Sequence, residues 1–496
     1  MFRKVGMLLV FILMHNLCPG APGLSFTFDP LCAKAYHRIM ALKLQEGNIA
    51  INTAARNRPD NFIPYYLADY ADCLELLFNG DIRQLEPMRV RAEKRLDMLE
   101  AADDSSPWYR YSQAGIYFHW ALVYMRFGDN FKAATRFRKS FLLLKENLRK
   151  YPAFEENNVL LGLEMASAGA IPASHQWLAS LMGIKGDIQK GVSLLAQYSA
   201  RHEDGSTMLY EEAFIFEAYL RFYLLSQQDA AWKSVLKRTG DTKDNLMYTF
   251  VRANLALNFR KADHALNTLT IAERNEGFAR FPIFLYEKAE ALLLRTDKSS
   301  EDYYLSFLKN YKGKPFVKDA YLKLSWQAIL SGRKSVAQAF LMLLKGAGNT
   351  LTDADKQAQR FAEKPLWPAL PLLETRLLID GGYYQQALKT IQQLDYNSLT
   401  QLPDQIEYYF RYGRILEELN EPDKAIAQYT TTIQLGQKQS YYFAARAALQ
   451  QGFIYERSGR KDAAAERYKF CLSLRDHDMQ NSIDQMAKAG LNRLQR

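Results

Sequence analysis

Apolar residues recur along most of this chain at the three- and four-residue spacing of amphipathic helices. The apolar segments are separated by short breaks rich in Gly, Asn, Asp or Pro, such as Asn79-Gly80-Asp81 and Phe127-Gly128-Asp129. Helices joined by breaks this short pack as antiparallel neighbours. The pattern therefore predicts a long series of helical pairs.

Two pairs near the C-terminus place small and aromatic residues at the same intervals. Three positions separate a glycine from a large residue, nine separate that residue from an alanine, and four separate the alanine from a tyrosine. A small residue where two helices cross, with a large one beside it, is typical of tetratricopeptide (TPR) repeats. A third match begins at Ala121, so we predict an all-α fold, a TPR-like right-handed α-solenoid of antiparallel helix pairs. The two C-terminal sets are Tyr409, Gly413, Leu416, Ala425 and Tyr429, and Ala448, Gly452, Tyr455, Ala464 and Tyr468.

Changes in this pattern predict six segments along the chain. Residues 151–205 depart from the repeat spacing, and prolines at 365, 368 and 371 close a connector. The predicted segments are 1–25 (signal peptide), 26–150 (N-terminal helical repeats), 151–205 (irregular helical segment), 206–345 (central helical repeats), 346–371 (connector) and 372–496 (C-terminal TPR repeats).

Two local features are predicted in more detail. Glu46-Gly47-Asn48 is expected to break the helical pattern of 31–56 into a hairpin. Thr352 is expected to cap a short charged helix by bonding a free backbone N–H, with Asp355 three residues further on.

The N-terminus has the pattern of a secretory signal peptide. A basic pair at 3–4 precedes an apolar run at 5–17, and small residues at 23–25 suit a cleavage site before Phe26. The run is too short to cross a bilayer, and no other segment is apolar enough, so we predict no transmembrane span after signal removal. We therefore expect a secreted or periplasmic protein, with a lipoprotein anchored through Cys18 as the alternative.

The formal charge of +10 comes largely from two stretches, 83–95 and 132–150. Apolar residues recur at helical spacing within both, so the charges are expected to be solvated faces of amphipathic helices. We predict no nucleic-acid partner, with association to an anionic envelope surface as the alternative. Cys32, Cys73 and Cys471 are expected to be small core residues, although a bridge between Cys32 and Cys73 stays open.

Two irregular stretches resemble the tetratricopeptide repeat protein 39 family and its fungal inclusion-body clearance relatives. The first holds Leu160-Leu161-Gly162-Leu163, Ile171-Pro172 and Gly183-Ile184-Lys185-Gly186-Asp187; the second holds Arg360-Phe361 and then Pro368-Ala369-Leu370-Pro371-Leu372-Leu373-Glu374. The resemblance covers most of the chain beyond about residue 30. It implies an all-helical repeat scaffold and supplies no catalytic residue.

The usual signatures of catalysis are missing from the sequence. No His pair is spaced for zinc, the glycines at 186–191 lack the phosphate-loop ending, and no serine-hydrolase elbow occurs. Acidic pairs such as Glu417-Glu418 are expected to be solvated helix faces. We predict no catalytic residue, cofactor or metal, and the enzyme alternative would place a site near 157–191.

The first helix of each TPR pair is expected to line a continuous concave face. Aromatic, Arg and Asn residues on that face suit a protein or peptide, whereas the alternative for each is packing against the next repeat. The resulting hypothesis is an exported non-catalytic scaffold; the alternatives are an envelope-associated carrier of lipid or polysaccharide and an enzyme. The candidate partner-binding residues are Phe250, Asn254, Asn258, Phe410, Arg414, Arg446, Phe453 and Arg457.

Overall fold

The computed structural model of the protein describes residues 25–171, 183, 186–203, 207–240 and 242–494. The predicted signal peptide up to residue 24 lies outside these residues, as do Cys18 and Pro172. Apart from an isolated bridge between Ser25 and Asn61, the described residues are helices and their connections.

The chain divides into two compact units, and two of the boundaries between them fall within helices. The first unit takes the described residues up to Arg252, with Ile271–Phe281 and Tyr311–Gly313. Its complete helices pack as successive neighbours. They are α1 (Pro30–Met40), α2 (Leu44–Asn57), α3 (Ile63–Asn79), α4 (Ile82–Glu100), α5 (Pro107–Phe127), α6 (Asn130–Lys150), α7 (Asn157–Gly169), α8 (Ile188–Arg201), α9 (Tyr210–Tyr223) and α10 (Gln228–Arg238).

The second unit takes Ala253–Thr270, Pro282–Asn310 and the described residues from Lys314 onward. The chain before and after the predicted 346–371 connector belongs to this second unit. Two helices are shared by the units, α11 (Leu246–Asn258) and α12 (Ala262–Ala272). The helices of the second unit are α13 (Ile283–Leu294), α14 (Ser300–Asn310), α15 (Val317–Leu330), α16 (Lys334–Gly346), α17 (Asp353–Glu363), α18 (Leu370–Gly381), α19 (Tyr384–Gln393), α20 (Leu402–Glu418), α21 (Pro422–Gly436), α22 (Phe443–Arg457), α23 (Lys461–Ser473) and α24 (Gln480–Leu494).

Within each of the two C-terminal pairs, α20–α21 and α22–α23, a glycine of the first helix packs closely against a tyrosine of the second. A Cβ on Gly413 would lie 2.7 Å from Tyr429 Cδ1, and one on Gly452 would overlap Tyr468 Cε1. Gly490 of α24 faces the other edge of the Tyr468 ring, where an added Cβ would lie 2.5 Å from Cε2. Both tyrosines are fully buried. The fold class is thus the predicted one, an all-α, TPR-like solenoid of antiparallel helix pairs.

The predicted break at Glu46-Gly47-Asn48 is wrong. The first helix ends at Met40 and the next begins at Leu44, and Leu42 takes a positive φ of 58° in the turn. Gly47 lies inside α2, where an added Cβ would be 3.0 Å from Ile39 Cγ1. This glycine therefore lets two helices approach closely and does not end a helix.

Other local predictions are confirmed. The turn between α5 and α6 contains Gly128 at φ 85°, a conformation that favours glycine. Thr352 caps α17, since its Oγ1 accepts a hydrogen bond from the Asp355 backbone N–H at 3.0 Å. Cys32 and Cys73 are both buried and free, which matches their expected role as small core residues.

Candidate functional site

A buried glutamate on α20 collects polar contacts from four side chains. Glu417 accepts hydrogen bonds from Arg414 at 3.0 Å, Tyr429 at 2.7 Å, Gln450 at 2.9 Å and Arg457 at 2.8 Å. Its side chain is only 7% exposed. Burial alone would raise the pKa of Glu417, but the charge of Arg414 and the bond from Arg457 hold that pKa below its usual value.

The neighbouring glutamate extends these contacts to a third arginine. Glu418 Oε1 accepts from Arg414 Nη2 at 2.8 Å and from Arg260 Nη1 at 2.7 Å. The prediction that Glu417 and Glu418 form a solvated face is therefore wrong. The i, i+3 and i, i+4 spacings to Arg414 place both carboxylates beside its guanidinium, so they pair with arginine instead.

Arg446 on α22 lies at this site without a carboxylate of its own. It is partly buried, and within the described part of the chain no salt bridge to it occurs; its Nη1 donates to Met486 Sδ at 3.4 Å. Burial, and then the positive charges of Arg414 and Arg260, lower the pKa of Arg446. We use the name arginine–glutamate cluster for Arg260, Arg414, Glu417, Glu418, Arg446 and Arg457.

The next repeat contains a smaller version of the same arrangement. Glu456 lies four residues after Gly452, as Glu417 lies four residues after Gly413. Glu456 accepts a hydrogen bond from Tyr468 and a bidentate pair from Arg493, with both arginine bonds at 2.8 Å. The glutamate and the tyrosine occupy equivalent positions of the two repeats, whereas the arginine comes from a different position in each.

The structure brings three of the predicted partner-binding residues together, namely Arg414, Arg446 and Arg457. Arg457 is exposed, with 60% of its side chain accessible, whereas Arg414 is buried by its ion pairs. Phe453 is partly buried and its ring lies 5.8 Å from Tyr468. Phe410 is 3% exposed and belongs to the core, so it packs against its neighbours as the alternative interpretation expected.

The remaining three predicted residues contact other parts of the chain. Phe250 is partly buried in the first unit, with its ring 5.0 Å from Phe78. Asn254 donates to Glu287 Oε1 at 3.0 Å, and the exposed Asn258 donates to the Asn254 backbone carbonyl at 2.8 Å.

Sequence reasoning missed Arg260 as a member of the cluster. It lies 158 positions before its partner Glu418, and no repeat spacing connects the two. The role of Glu417 had a signal, since a glutamate follows the repeat glycine by four positions in both C-terminal pairs.

No protein-family model matches the chain, and neither does any curated protein. Similar solved structures include yeast Tom70, which is 13% identical, with 94% of this chain and 89% of that chain covered and a TM-score of 0.24. The human IFIT1 dimer with m7Gppp-AAAA is 13% identical, with 91% and 96% covered and a TM-score of 0.27. The APC/C hetero-tetramer Cut9-Hcn1 is 11% identical, with 94% and 96% covered and a TM-score of 0.25. The resemblance to the tetratricopeptide repeat protein 39 family stays a prediction.

Within the ranges the structure describes, every helix is too short or too polar to cross a bilayer.

Proposed function

We propose that this chain is a non-catalytic repeat scaffold that binds an acidic segment of a protein or peptide at the arginine–glutamate cluster. The observation that supports the proposal most directly is the environment of Arg446. Its guanidinium is partly buried and has no carboxylate partner among the described residues, and the resulting desolvation cost is one that an incoming anion would offset.

The charge balance of the cluster favours a carboxylate ligand. The cluster contains four arginines and two glutamates, and both glutamates already form ion pairs with arginines of the cluster. An arginine presents two parallel N–H groups that match the two oxygens of one carboxylate. Arg446 is the guanidinium left for such a ligand, and the exposed Arg457 adds positive charge at the edge.

A polypeptide fits this surface better than a row of phosphates. Glu417 and Glu418 would repel closely spaced phosphates, whereas a single carboxylate needs only one open guanidinium. Met486, which contacts Arg446, keeps part of its surface exposed, so an apolar residue beside the carboxylate would bury area there.

Binding of short fluorescent peptides, followed by anisotropy, tests the proposal. Peptides with Glu or Asp beside an apolar residue should bind, and analogues with Gln or Asn in those places should bind at least about tenfold more weakly. Arg446→Gln should remove that preference. Arg467→Gln is the matched control, because Arg467 lies on α23 and pairs with Glu466 at 2.7 Å.

Three outcomes would contradict the proposal: acidic and neutral peptides bind equally, the control variant weakens binding as much as Arg446→Gln does, or single-stranded RNA binds where no peptide does. Arg414→Glu is a poor probe, because reversing the charge of a buried, doubly paired arginine perturbs folding as well as binding.

Export is part of the same proposal, supported by the N-terminal sequence pattern. Fractionation of cells that produce the tagged chain should place it outside the cytoplasm. Cys18→Ala should leave that distribution unchanged if the protein is released, and should move it from membrane to soluble fractions if Cys18 carries a lipid anchor.

A further inference from the structure

The first unit contains a cavity that the arginine–glutamate cluster does not involve. Its volume is about 100 Å³, and α1, α3, α5, α7, α9 and α11 supply its walls. Most of the walls are apolar side chains. The residues that give the cavity its chemistry are Tyr66, Tyr70, Tyr111, Phe118, His119 and Glu212.

Glu212 brings a carboxyl group into this apolar space. The residue is 5% exposed, and the Tyr36 hydroxyl donates to its Oε2 over a long 3.4 Å. No basic side chain pairs with it among the described residues. Burial is the main reason that its pKa is raised to about 7; Glu211 adds to the rise, and the hydroxyls of Tyr70 and Tyr36 oppose it.

Aromatic side chains line the same cavity as the Glu212 carboxyl and contact one another. The His119 ring stacks on Tyr70 at 4.5 Å and on Tyr66 at 5.7 Å, and Tyr111 meets Tyr66 edge-on at 6.1 Å. His119 Nδ1 is 2.8 Å from Asp69 Oδ2, so this nitrogen is bound outside the cavity lining.

Glycine makes room for this aromatic wall. An added Cβ on Gly115 would lie 2.5 Å from Tyr66 Cε2, so the ring could not keep its place beside a larger residue. Leu77, Leu122 and Phe216 line the cavity but are partly exposed, which places its entrance among them.

From this geometry we infer that the cavity binds a small alkylammonium ion, with the ammonium group on Glu212 and the alkyl part against the rings. The Glu212 carboxylate, which has no cationic partner among the described residues, complements the charge of the ammonium group, and the aromatic side chains that line the cavity offer apolar surface to the alkyl part. The volume limits its size, because an apolar cavity of about 150 Å³ holds one benzene molecule.

Isobutylammonium and isobutanol are a matched pair of probes, since they share shape and size but differ in charge. Calorimetric titration of the purified full-length chain at pH 8, where the Glu212 carboxyl is mainly ionised, should show the amine binding at least about tenfold more tightly than the alcohol. Tributylammonium is too large for the cavity and should not bind.

Two variants separate the carboxyl from the general shape of the cavity. Glu212→Gln should weaken amine binding at least about tenfold and leave alcohol binding nearly unchanged. Glu211→Gln is the control on the same helix, because the Glu211 carboxylate bonds Tyr248 and does not line the cavity. Leu122→Trp should block the entrance and weaken both probes, without touching the carboxyl.

The inference is overturned if the amine does not bind, if it binds no better than the alcohol, or if Glu212→Gln binds it as well as the wild type does. Thermal unfolding of each variant verifies that the chain is folded. Because the cavity lies wholly in the first unit, these results do not depend on the proposed peptide site.

Discussion

Replacing Glu417 with glutamine tests whether the arginine–glutamate cluster stabilises the second unit. The substitution keeps the size of the side chain but removes the charge that Arg414 and Arg457 contact. It also leaves the hydroxyl of Tyr429 and the amide of Gln450 with a weaker acceptor. The structure therefore predicts a loss of stability from one side chain whose four contacts are all known.

The size of the loss follows from burial. Removing one partner of a buried ion pair costs about 3–5 kcal/mol. Because Glu418 still pairs with Arg414, and because Arg457 is 60% exposed, we expect the lower end of this range, about 3 kcal/mol. For a unit of this size that corresponds to a fall in Tm of roughly 6–12 °C.

Thermal unfolding followed by circular dichroism measures the change. Glu421→Gln is the control, because Glu421 forms an ion pair with Lys424 at 2.8 Å in which the two side chains are 45% and 67% exposed; its Tm should shift by no more than about 2 °C. The folded-state pKa of Glu417 is lowered, so its contribution is present above the usual glutamate pKa and is lost as the pH falls through the folded value. Equal Tm values for the two variants at pH 7, or a difference that persists in acid, would refute the reasoning.

Two further substitutions test packing and burial elsewhere in the chain. Gly452→Ala should destabilise the protein by about 1–3 kcal/mol in chemical unfolding, because the new Cβ meets the buried Tyr468 ring, whereas Gly346→Ala meets nothing within 4 Å and should be neutral. The Tm of Glu212→Gln minus the Tm of the wild type should increase as the pH rises from 5 to 8. Burial raises the folded-state pKa of the wild-type Glu212 carboxyl to about 7, so ionisation of this group destabilises the wild type by up to about 3 kcal/mol. A pH-independent difference for Glu212→Gln would contradict the assignment.

The repeat fold was predictable because it rests on local spacing. Gly413 and Gly452 recur with their tyrosines at fixed intervals, and those intervals are set by helix geometry within one pair. Gly47 shows the limit of this reasoning. Without a repeated partner, a glycine that permits close helix packing has the same sequence signal as one that ends a helix, and the predicted break was misplaced.

The candidate site was predictable only in part, because contacts between distant residues decide it. Counting helix positions identified Arg414, Arg446 and Arg457, but the same count included Phe410, which is in the core. Helical phase gives the direction of a side chain, whereas burial depends on which helix lies opposite. Arg260 comes from a helix far away in sequence, so no local pattern includes it.

A double-mutant cycle on Arg446 tests the central claim most directly, with stability and peptide affinity measured on the same samples. The acidic peptide and its neutral analogue are titrated against the wild type and against Arg446→Gln. We predict that the variant keeps or raises Tm, because it removes a partly buried charge with no carboxylate partner in the described chain, and loses at least about tenfold in affinity for the acidic peptide alone. Equal losses for both peptides, or unchanged affinity for the acidic one, would contradict the claim that Arg446 binds a partner's carboxylate.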